Sequence, residues 1–475
     1  MKMQQEKEIS FSLDLKDSNT KRFVTWLPAI LGAVICLIIL STVRFSAQDA
    51  LTKEIARLVK LNYVDDKEMS PYNDSLTIEE WLEQLDPHSY YLNPIKSLRS
   101  NNQLQGFMVG IGVHILQDRD TPYIVYVLPN SPAAAQGIIP GDRILAVDGI
   151  NLRQINKSDT SIQERIGGKE KSTVTISTYN PASKRTGIKK VVRASINQNS
   201  ISNIFMIGSQ VGYAKFDIFS HDAHQQLVDS LLVLQKNGMK ALILDLRDNG
   251  GGLLDQAVAI ANEFLPDKKV IVSMQGKHRN KETYKSDGKG KFKDMPLYIL
   301  INHNSASASE VLAAALQEYK RAIIIGERSF GKGLVQESFK LSNNGTLNLT
   351  IAKYYTPLGK SLQKKYPYTT EDTTRGVMPN YYTTLYDLNE GKFFPSNKHF
   401  KWATDVALYS KNWKALYPSA IAFSNRVVSH TGSDSLSYMV ALGIVLYGPD
   451  EEAVLQISQD EMIKKAIGLN NSLLR

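Results

Sequence analysis

Two stretches of this chain share one pattern, and that repetition leaves few folds open. Residues 241–246, ALILDL, form an apolar run of strand length. They lead into Arg247-Asp248-Asn249-Gly250-Gly251-Gly252 and then a helical pattern over 253–264. Residues 297–301, LYILI, lead through Asn302 into the small residues Ser305-Ala306-Ser307-Ala308-Ser309. Glu310 then opens a second helical pattern, with Val311, Leu312, Ala315, Leu316 and Tyr319 on one face. Buried strands alternating with helices predict an α/β layer architecture. Both loops leave the carboxyl ends of strands, which is where open α/β sheets bind ligands.

Other segments extend this texture over residues 205–385. A strand is expected at 211–216, a helix at 224–235, a strand at 322–325 leading to Gly331-Lys332-Gly333, and strands at 334–339 and 347–355. Residues 101–197 differ, with short strands and turns: a strand at 123–128, a short helix opening on Pro132, a turn at Pro140-Gly141-Asp142, and a hairpin signal at Asp148-Gly149. Residues 48–100 read as helical, with one helix closing near 61–63, another over 78–85, and a break at Asp86-Pro87-His88-Ser89. The basic stretch 277–293 reads as a solvated loop, not a nucleic-acid site. Residues 386–475 carry no interpretable motif; Trp402 and Trp413 point to a small packed appendage.

Residues 23–43, FVTWLPAILGAVICLIILSTV, are apolar and uncharged. As a helix they would run about 31 Å, enough to cross a bilayer core. Residues 1–22 are expected to be a cytoplasmic tail, and 23–43 a transmembrane signal-anchor. The long polar lead and the lack of an A-x-A site argue against cleavage. Arg44, Lys53, Arg57 and Lys60 follow the span, so basic residues do not fix its orientation, but long domains translocate largely regardless of charge. The only cysteine, Cys36, lies within the span, so the rest of the chain can form neither a disulfide nor a cysteine metal site. A length of 475 residues with 43% apolar content allows two or three domains with sizeable cores.

The small-residue turn and the glycine-flanked lysine together suggest a chemistry. A serine hydroxyl is a poor nucleophile until a base takes its proton. Lysine can be that base only when neutral, and burial favours the neutral form. Lys332 lies 25 residues beyond Ser307, and Gln336 four further on could orient it. The oxyanion formed on attack needs two N–H donors. The Ala308 N–H is one candidate, and the triple glycine, which allows close backbone approach, offers the other. Ser305 and Ser309 are alternative nucleophiles, although Ser309 suits an N-cap before Glu310. Gly326 to Lys332 fits G-x-x-x-x-G-K, but Gly333 stands where the Mg²⁺-binding Ser or Thr belongs. Ser329-Phe330-Gly331-Lys332 fits S-x-x-K, but K-T-G is absent. His303 is expected at the surface or a strand end, and His88 in support of its turn. His221 and His224 have metal spacing without further ligands, so neither metal nor cofactor is expected. Asp245 and Arg247 are expected to form a structural pair.

At this point the chain resembles the carboxyl-terminal processing proteases, PDZ-bearing Ser–Lys peptidases. The resemblance rests on Leu85-Asp86-Pro87-His88-Ser89, on G-D-R-I-L-A-V-D-G over 141–149, on Asp245 to Gly252, on Ser305 to Glu310, and on Gly326 to Gly333. It covers about residues 50 to 380 and implies a crotonase-like (ClpP/crotonase-type) protease core with an inserted PDZ domain. It implies Ser307 as nucleophile, Lys332 as base, Gln336 as its orienter, and Ala308 with Gly252 as oxyanion donors. Phe107, Met108, Val109 and Gly110 would form the carboxylate-binding loop of the PDZ domain. The expected partners are proteins or peptides with free C-termini and a membrane, not nucleic acid; oligomer formation is left open. The expected location is a bacterial inner membrane, with the catalytic part in the periplasm or outside. The rival reading is a catalytically silent PDZ scaffold.

Overall fold

The computed structural model describes residue 33 and residues 48–473, apart from 68, 74, 117–121, 153–161, 181–182, 208–209, 365–374 and 383–460. Apart from residue 33, the expected span at 23–43 therefore lies outside the described residues, as do Trp402 and Trp413. Among the described residues no helix is long and apolar enough to cross a membrane.

The described chain opens with helix α1 (48–62), helix α2 (Ile78–Leu82), strand β1 (Tyr90–Leu92) and helix α3 (Pro94–Leu104). Strands β2 (Phe107–Gly110), β3 (Val113–Leu116) and β4 (Tyr123–Val127) follow, then helix α4 (Pro132–Ala135). Next come β5 (Arg143–Val147), β6 (Ile150–Asn151), helix α5 (Ile162–Ile166), β7 (Thr173–Asn180), β8 (Arg185–Val192) and β9 (Ala194–Asn197). The short elements follow from local chemistry. The Ser131 hydroxyl accepts from the Ala134 N–H and caps α4, with Pro132 in the first turn. Asp148 and Gly149 both take positive φ, which gives the tight β5–β6 turn that their residue types favour. Strands β3, β4, β5, β7 and β8 form one sheet in that order. Ile111, Ile124, Ile144, Val147, Val174, Ile176 and Val191 bury an apolar cluster of their own. Residues 107–110 are not the expected loop. They form β2, paired antiparallel with β9 from Phe107 opposite Asn197 to Gly110 opposite Ala194.

The remaining elements are β10 (Ile201–Ile207), β11 (Val211–Phe216), α6 (Ala223–Lys236), β12 (Ala241–Asp245), α7 (Leu254–Phe264), β13 (Val270–Gly276) and β14 (Arg279–Lys285). They continue with β15 (Leu297–Ile301), α8 (Ala308–Glu318), β16 (Ile323–Gly326), β17 (Leu334–Lys340), β18 (Thr346–Tyr355), β19 (Tyr381–Tyr382) and α9 (Glu461–Leu473). The main sheet has the order β10-β11-β12-β15-β16-β19 and is parallel from β11 onward. A second, antiparallel sheet joins β1, β18, β13 and β14, with β17 also paired to β18. Strand β14 corrects the reading of 277–293 as a loop. Its mostly exposed residues sit at a sheet edge, which spreads charge where an apolar pattern would otherwise mark a strand.

The register of the main sheet explains its unbroken apolar runs. Leu242, Leu244, Leu297, Ile299 and Ile301 face the cluster that contains α6, α7 and α8. Tyr213, Ile243, Tyr298, Leu300 and Ile325 face the other way, onto Met462 and Ala466 of α9. Helices thus cover both faces. The described end of the 386–475 region is therefore part of the core, not an appendage. The 48–100 region is no separate unit either. Ile55, Val59, Trp81, Leu82 and Leu85 share the α6–α8 cluster, and β1 pairs with β18.

Candidate active site

Three loops gather at the carboxyl ends of β12, β15 and β16. The first runs from Leu246 to Gly252 and is anchored from below. Arg247 Nη2 lies 2.5 Å from Asp245 Oδ2, and the Tyr213 hydroxyl donates to the same oxygen at 2.7 Å. Burial would raise the Asp245 pKa, but the charges of Arg247 and Lys215 outweigh it and hold the carboxyl well below the usual range. The expected structural pair is thus present. Asp248 Oδ1 accepts from the side-chain amides of Asn302 and Asn304, each at 2.8 Å, which ties the first loop to the second.

The second loop turns at Ser307, which has φ 56 and ψ −114. A non-glycine residue there is strained by about 1–3 kcal/mol, and such strain persists only where surrounding bonds over-determine it. The Ser307 N–H is held by Glu310 Oε2 at 2.9 Å, and helix α8 begins at the next residue. This is the strand–elbow–helix geometry that exposes a nucleophile at a helix N-terminus. The helix begins two residues earlier than expected, so Ser309 is not its N-cap. The buried Ser309 hydroxyl donates to the Asn249 carbonyl at 2.9 Å, and the buried Ser305 hydroxyl donates to the Leu246 carbonyl at 2.8 Å. Both rival hydroxyls therefore pin the first loop to the second.

The third loop carries Ser329 to Gly333. Here the structure supplies a residue that sequence reasoning missed. The Glu310 carboxylate is fully buried and takes four donors. Oε1 accepts from the Ser329 hydroxyl at 2.5 Å and the Gly331 N–H at 2.7 Å; Oε2 accepts from the N–H groups of Ser307 at 2.9 Å and Lys332 at 2.8 Å. The backbone nitrogens of Ser307 and Lys332 meet on one oxygen atom, so they lie within two hydrogen-bond lengths of each other. Burial raises the Glu310 pKa while its four donors pull the other way. Ser329, the serine of S-x-x-K, is spent on Glu310 and on accepting from the Val377 N–H at 2.6 Å. The signal for Glu310 was an acid three residues after a small-residue turn, which is the capping-box spacing.

Burial lowers the pKa of Lys332, against the opposing pull of Asp86 and Glu310. Gln336 sits on β17 opposite Thr350 and donates from Nε2 to Thr350 Oγ1 at 3.3 Å. On the other side of the elbow, Gly251 has φ 105, and a Cβ there would stand 3.0 Å from both Ser307 Cβ and the Ala308 nitrogen. Its N–H is already committed to Asn249 Oδ1 at 2.8 Å. The N–H groups of Ala308 and Gly252 donate no hydrogen bond among the described residues. Gly252, with φ 140, packs so close to the backbone of Phe219 that a Cβ would fall 2.4 Å from its carbonyl oxygen.

The histidines fall in unlike places. His303 is exposed and pairs with Glu327 at 2.8 Å. His224 pairs with Glu263 at 2.9 Å, and among the described residues no cluster of three or more metal-type ligands occurs. The His88 N–H donates to Asp86 Oδ1 at 2.8 Å within its own turn. The ring lies edge-on to Phe330 at 6.4 Å, in the third loop. Burial, then the charge of Lys332, pulls its pKa down to about 4. Strand β2, with Met108 exposed, belongs to the β2–β9 ribbon.

Known proteins of similar sequence identify the family of this chain. The Peptidase family S41 profile matches residues 210–382, and a PDZ domain profile matches residues 123–176. The carboxyl-terminal-processing protease of Picosynechococcus sp. is 37% identical over 285 residues, 59% of this chain and 67% of that protein. The carboxy-terminal-processing protease of Bartonella bacilliformis is 35% identical over 292 residues, 60% of this chain and 66% of that protein. The solved photosystem II D1 C-terminal processing protease aligns at 26% identity with a TM-score of 0.43, covering 70% of this chain and 92% of that one. The chain spans about two thirds of the length of the curated relatives it matches. The chain belongs to the carboxyl-terminal processing proteases of Peptidase family S41, whose members are serine-type peptidases.

Proposed function

We propose that this chain is a membrane-anchored serine endopeptidase that cleaves unstructured C-terminal regions of proteins with a Ser–Lys dyad. The observation that carries this reading is the shared Glu310 oxygen, which brings the backbones of Ser307 and Lys332 together beside a lysine whose burial favours the neutral amine. In the reaction, the Lys332 amine takes the proton of the Ser307 hydroxyl as its oxygen attacks the scissile carbonyl carbon. The oxyanion is held by the N–H groups of Ala308 and Gly252. The resulting ammonium gives its proton to the leaving amine, the peptide C–N bond breaks, and an acyl-enzyme remains. Water then attacks that ester with the neutral lysine again as base, releasing the new C-terminus and restoring Ser307.

Gln336 orients the lysine by offering its Oε1, since Nε2 is occupied by Thr350. The core is of crotonase type, and the PDZ unit recruits or gates substrates through their free C-termini, with Phe107 to Gly110 of β2 as its peptide-binding edge. Residues 23–43 anchor the chain in a bacterial inner membrane, with the catalytic part in the periplasm or outside.

The test is a fragment map of an unfolded protein incubated with the purified chain and with Ser307→Ala. New fragments from the wild type alone support the reading. Tight binding without fragments from either protein would make the chain a peptide-binding scaffold. Cleavage retained by Ser307→Ala would sink the assignment of the nucleophile. Intact cells with a permeable outer layer test the topology, because an externally added protease should reach residues 48–473 and not residues 1–22.

A further inference from the structure

We propose that Asp86, a buried carboxylate on the segment joining α2 to β1, is a positioning residue for Lys332. It acts through Thr350 on Gln336, and through its charge on the lysine amine. The inference rests on the Ser–Lys reading and adds to it a group from outside the α/β core.

Asp86 is 7% exposed, Ser89 4% and Thr350 fully buried. The carboxylate takes three donors. Oδ2 accepts from the Ser89 hydroxyl at 2.7 Å, while Oδ1 accepts from the His88 N–H at 2.8 Å and the Thr350 hydroxyl at 3.1 Å. The Thr350 N–H in turn donates to the Ser89 oxygen at 3.1 Å, and the Thr350 carbonyl accepts from Val64 N at 2.9 Å. This loop is therefore stitched to β18 from both backbone and side chain.

The direction of these bonds matters. A hydroxyl has one proton. Thr350 gives its proton to Asp86, so only its lone pairs face Gln336. Gln336 must then present Nε2 to Thr350, as it does, and direct Oε1 elsewhere. By accepting from Thr350, Asp86 thereby fixes which end of the Gln336 amide is free to accept from the lysine. Asparagine in its place could donate to Thr350, reverse the hydroxyl and release the amide to flip.

Charge acts in parallel. Lys332 is faced by Asp86 and Glu310, which favour its ammonium, and by His88. Asp86 is faced by Tyr63, His88 and Lys332. Removing the Asp86 charge takes one stabiliser from the ammonium, so the neutral amine should appear at lower pH.

The experiment follows labelling of the full-length chain by a fluorophosphonate probe as a function of pH, with thermal unfolding to verify folding. Labelling of wild type but not of Ser307→Ala is the prerequisite, and its failure would count against the Ser–Lys reading rather than against Asp86. In Asp86→Asn the acid midpoint of labelling is expected to fall by roughly 0.5–1 pH unit, and the plateau rate by about tenfold. Thr350→Val should lose about tenfold in plateau, with the midpoint near wild type, while Thr350→Ser should keep the plateau. A purely structural Asp86 would lower thermal stability and leave the midpoint in place. A wild-type midpoint in folded Asp86→Asn, or equal plateaus for Thr350→Val and Thr350→Ser, overturns the proposal. If Asp86→Asn does not fold, the two Thr350 variants decide it.

Discussion

The proposed nucleophile is held by loops of one parallel sheet, whereas the proposed base is enclosed by segments drawn from across the chain. Around Ser307 the supporting groups are Asp248, Asn249, Asn302, Ser305, Ser309 and Glu310, all on loops after β12 and β15 or in the first turn of α8. Around Lys332 they are Asp86, His88, Gln336 and Thr350, whose bonds join residues up to 264 positions apart. The serine side is strained in backbone and tightly bonded; the lysine side is ordered by burial and charge. Strain can be held by local bonds, but a lowered lysine pKa requires enclosure, and enclosure needs a layer from elsewhere. Glu310 reaches both sides, accepting from the N–H groups of Ser307 and Lys332 on one oxygen.

The hardest test of that division removes the shared group. In Glu310→Gln one oxygen becomes an NH₂, and at least one backbone N–H then loses its acceptor, because among the four partners only the Ser329 hydroxyl can turn to accept from the amide. Each buried donor left unpaired costs about 1–3 kcal/mol. The elbow and the lysine loop should also lose their common anchor, so peptidase activity should fall roughly a hundredfold or more. Both effects are readable, as a lower unfolding midpoint and as kcat. A normal kcat would mean that the two sides are positioned independently.

A smaller effect is expected on the serine side alone. Gly251→Ala forces a methyl to 2.9 Å from the Ala306 carbonyl and 3.0 Å from Ser307 Cβ, at a φ of 105 that side chains avoid. The elbow would shift by a few tenths of an ångström, and kcat should drop about tenfold with KM little changed. Gly250→Ala is the control, since no atom lies within 4 Å of a Cβ there and its φ is unstrained. Equal losses in both variants would show that the loop responds to any added side chain, not to crowding of the elbow.

The same division governs what could be read before coordinates. The serine side was legible because its parts lie in short runs: apolar strands, tiny residues where backbones meet, and a helix. Lys332 was legible from its flanking glycines, and the β5–β6 turn from Asp148-Gly149. Glu310 was misread as an ordinary helix opener because a capping acid and a bridging acid look alike in sequence. Asp86 and Thr350 were not legible as partners of Gln336, since nothing local records that β1 and the turn before it dock on β18. Strand β14 and the docking of α9 were missed for a related reason. An edge strand need not alternate, and a helix packed on a sheet face announces only that it is amphipathic.

The smallest effect belongs to His88, on the lysine side, and it separates burial from bonding there. Its pKa is drawn from the ordinary 6.5 to about 4, first by burial and then by the charge of Lys332. The folded chain thus holds the ring neutral where the unfolded chain would protonate it. Between these values the unfolded state binds more protons, so stability is present above about pH 6.5 and is lost as pH falls toward 4. Discounted for partial exposure, the loss should be about 1–2 kcal/mol. His88→Gln removes the titrating ring, so its urea midpoint should decline less on acidification than that of the wild type. Parallel decline of the two proteins would mean that the ring reaches water in the folded state, and that the layer over Lys332 is more open than the packing of His88 against Phe330 implies.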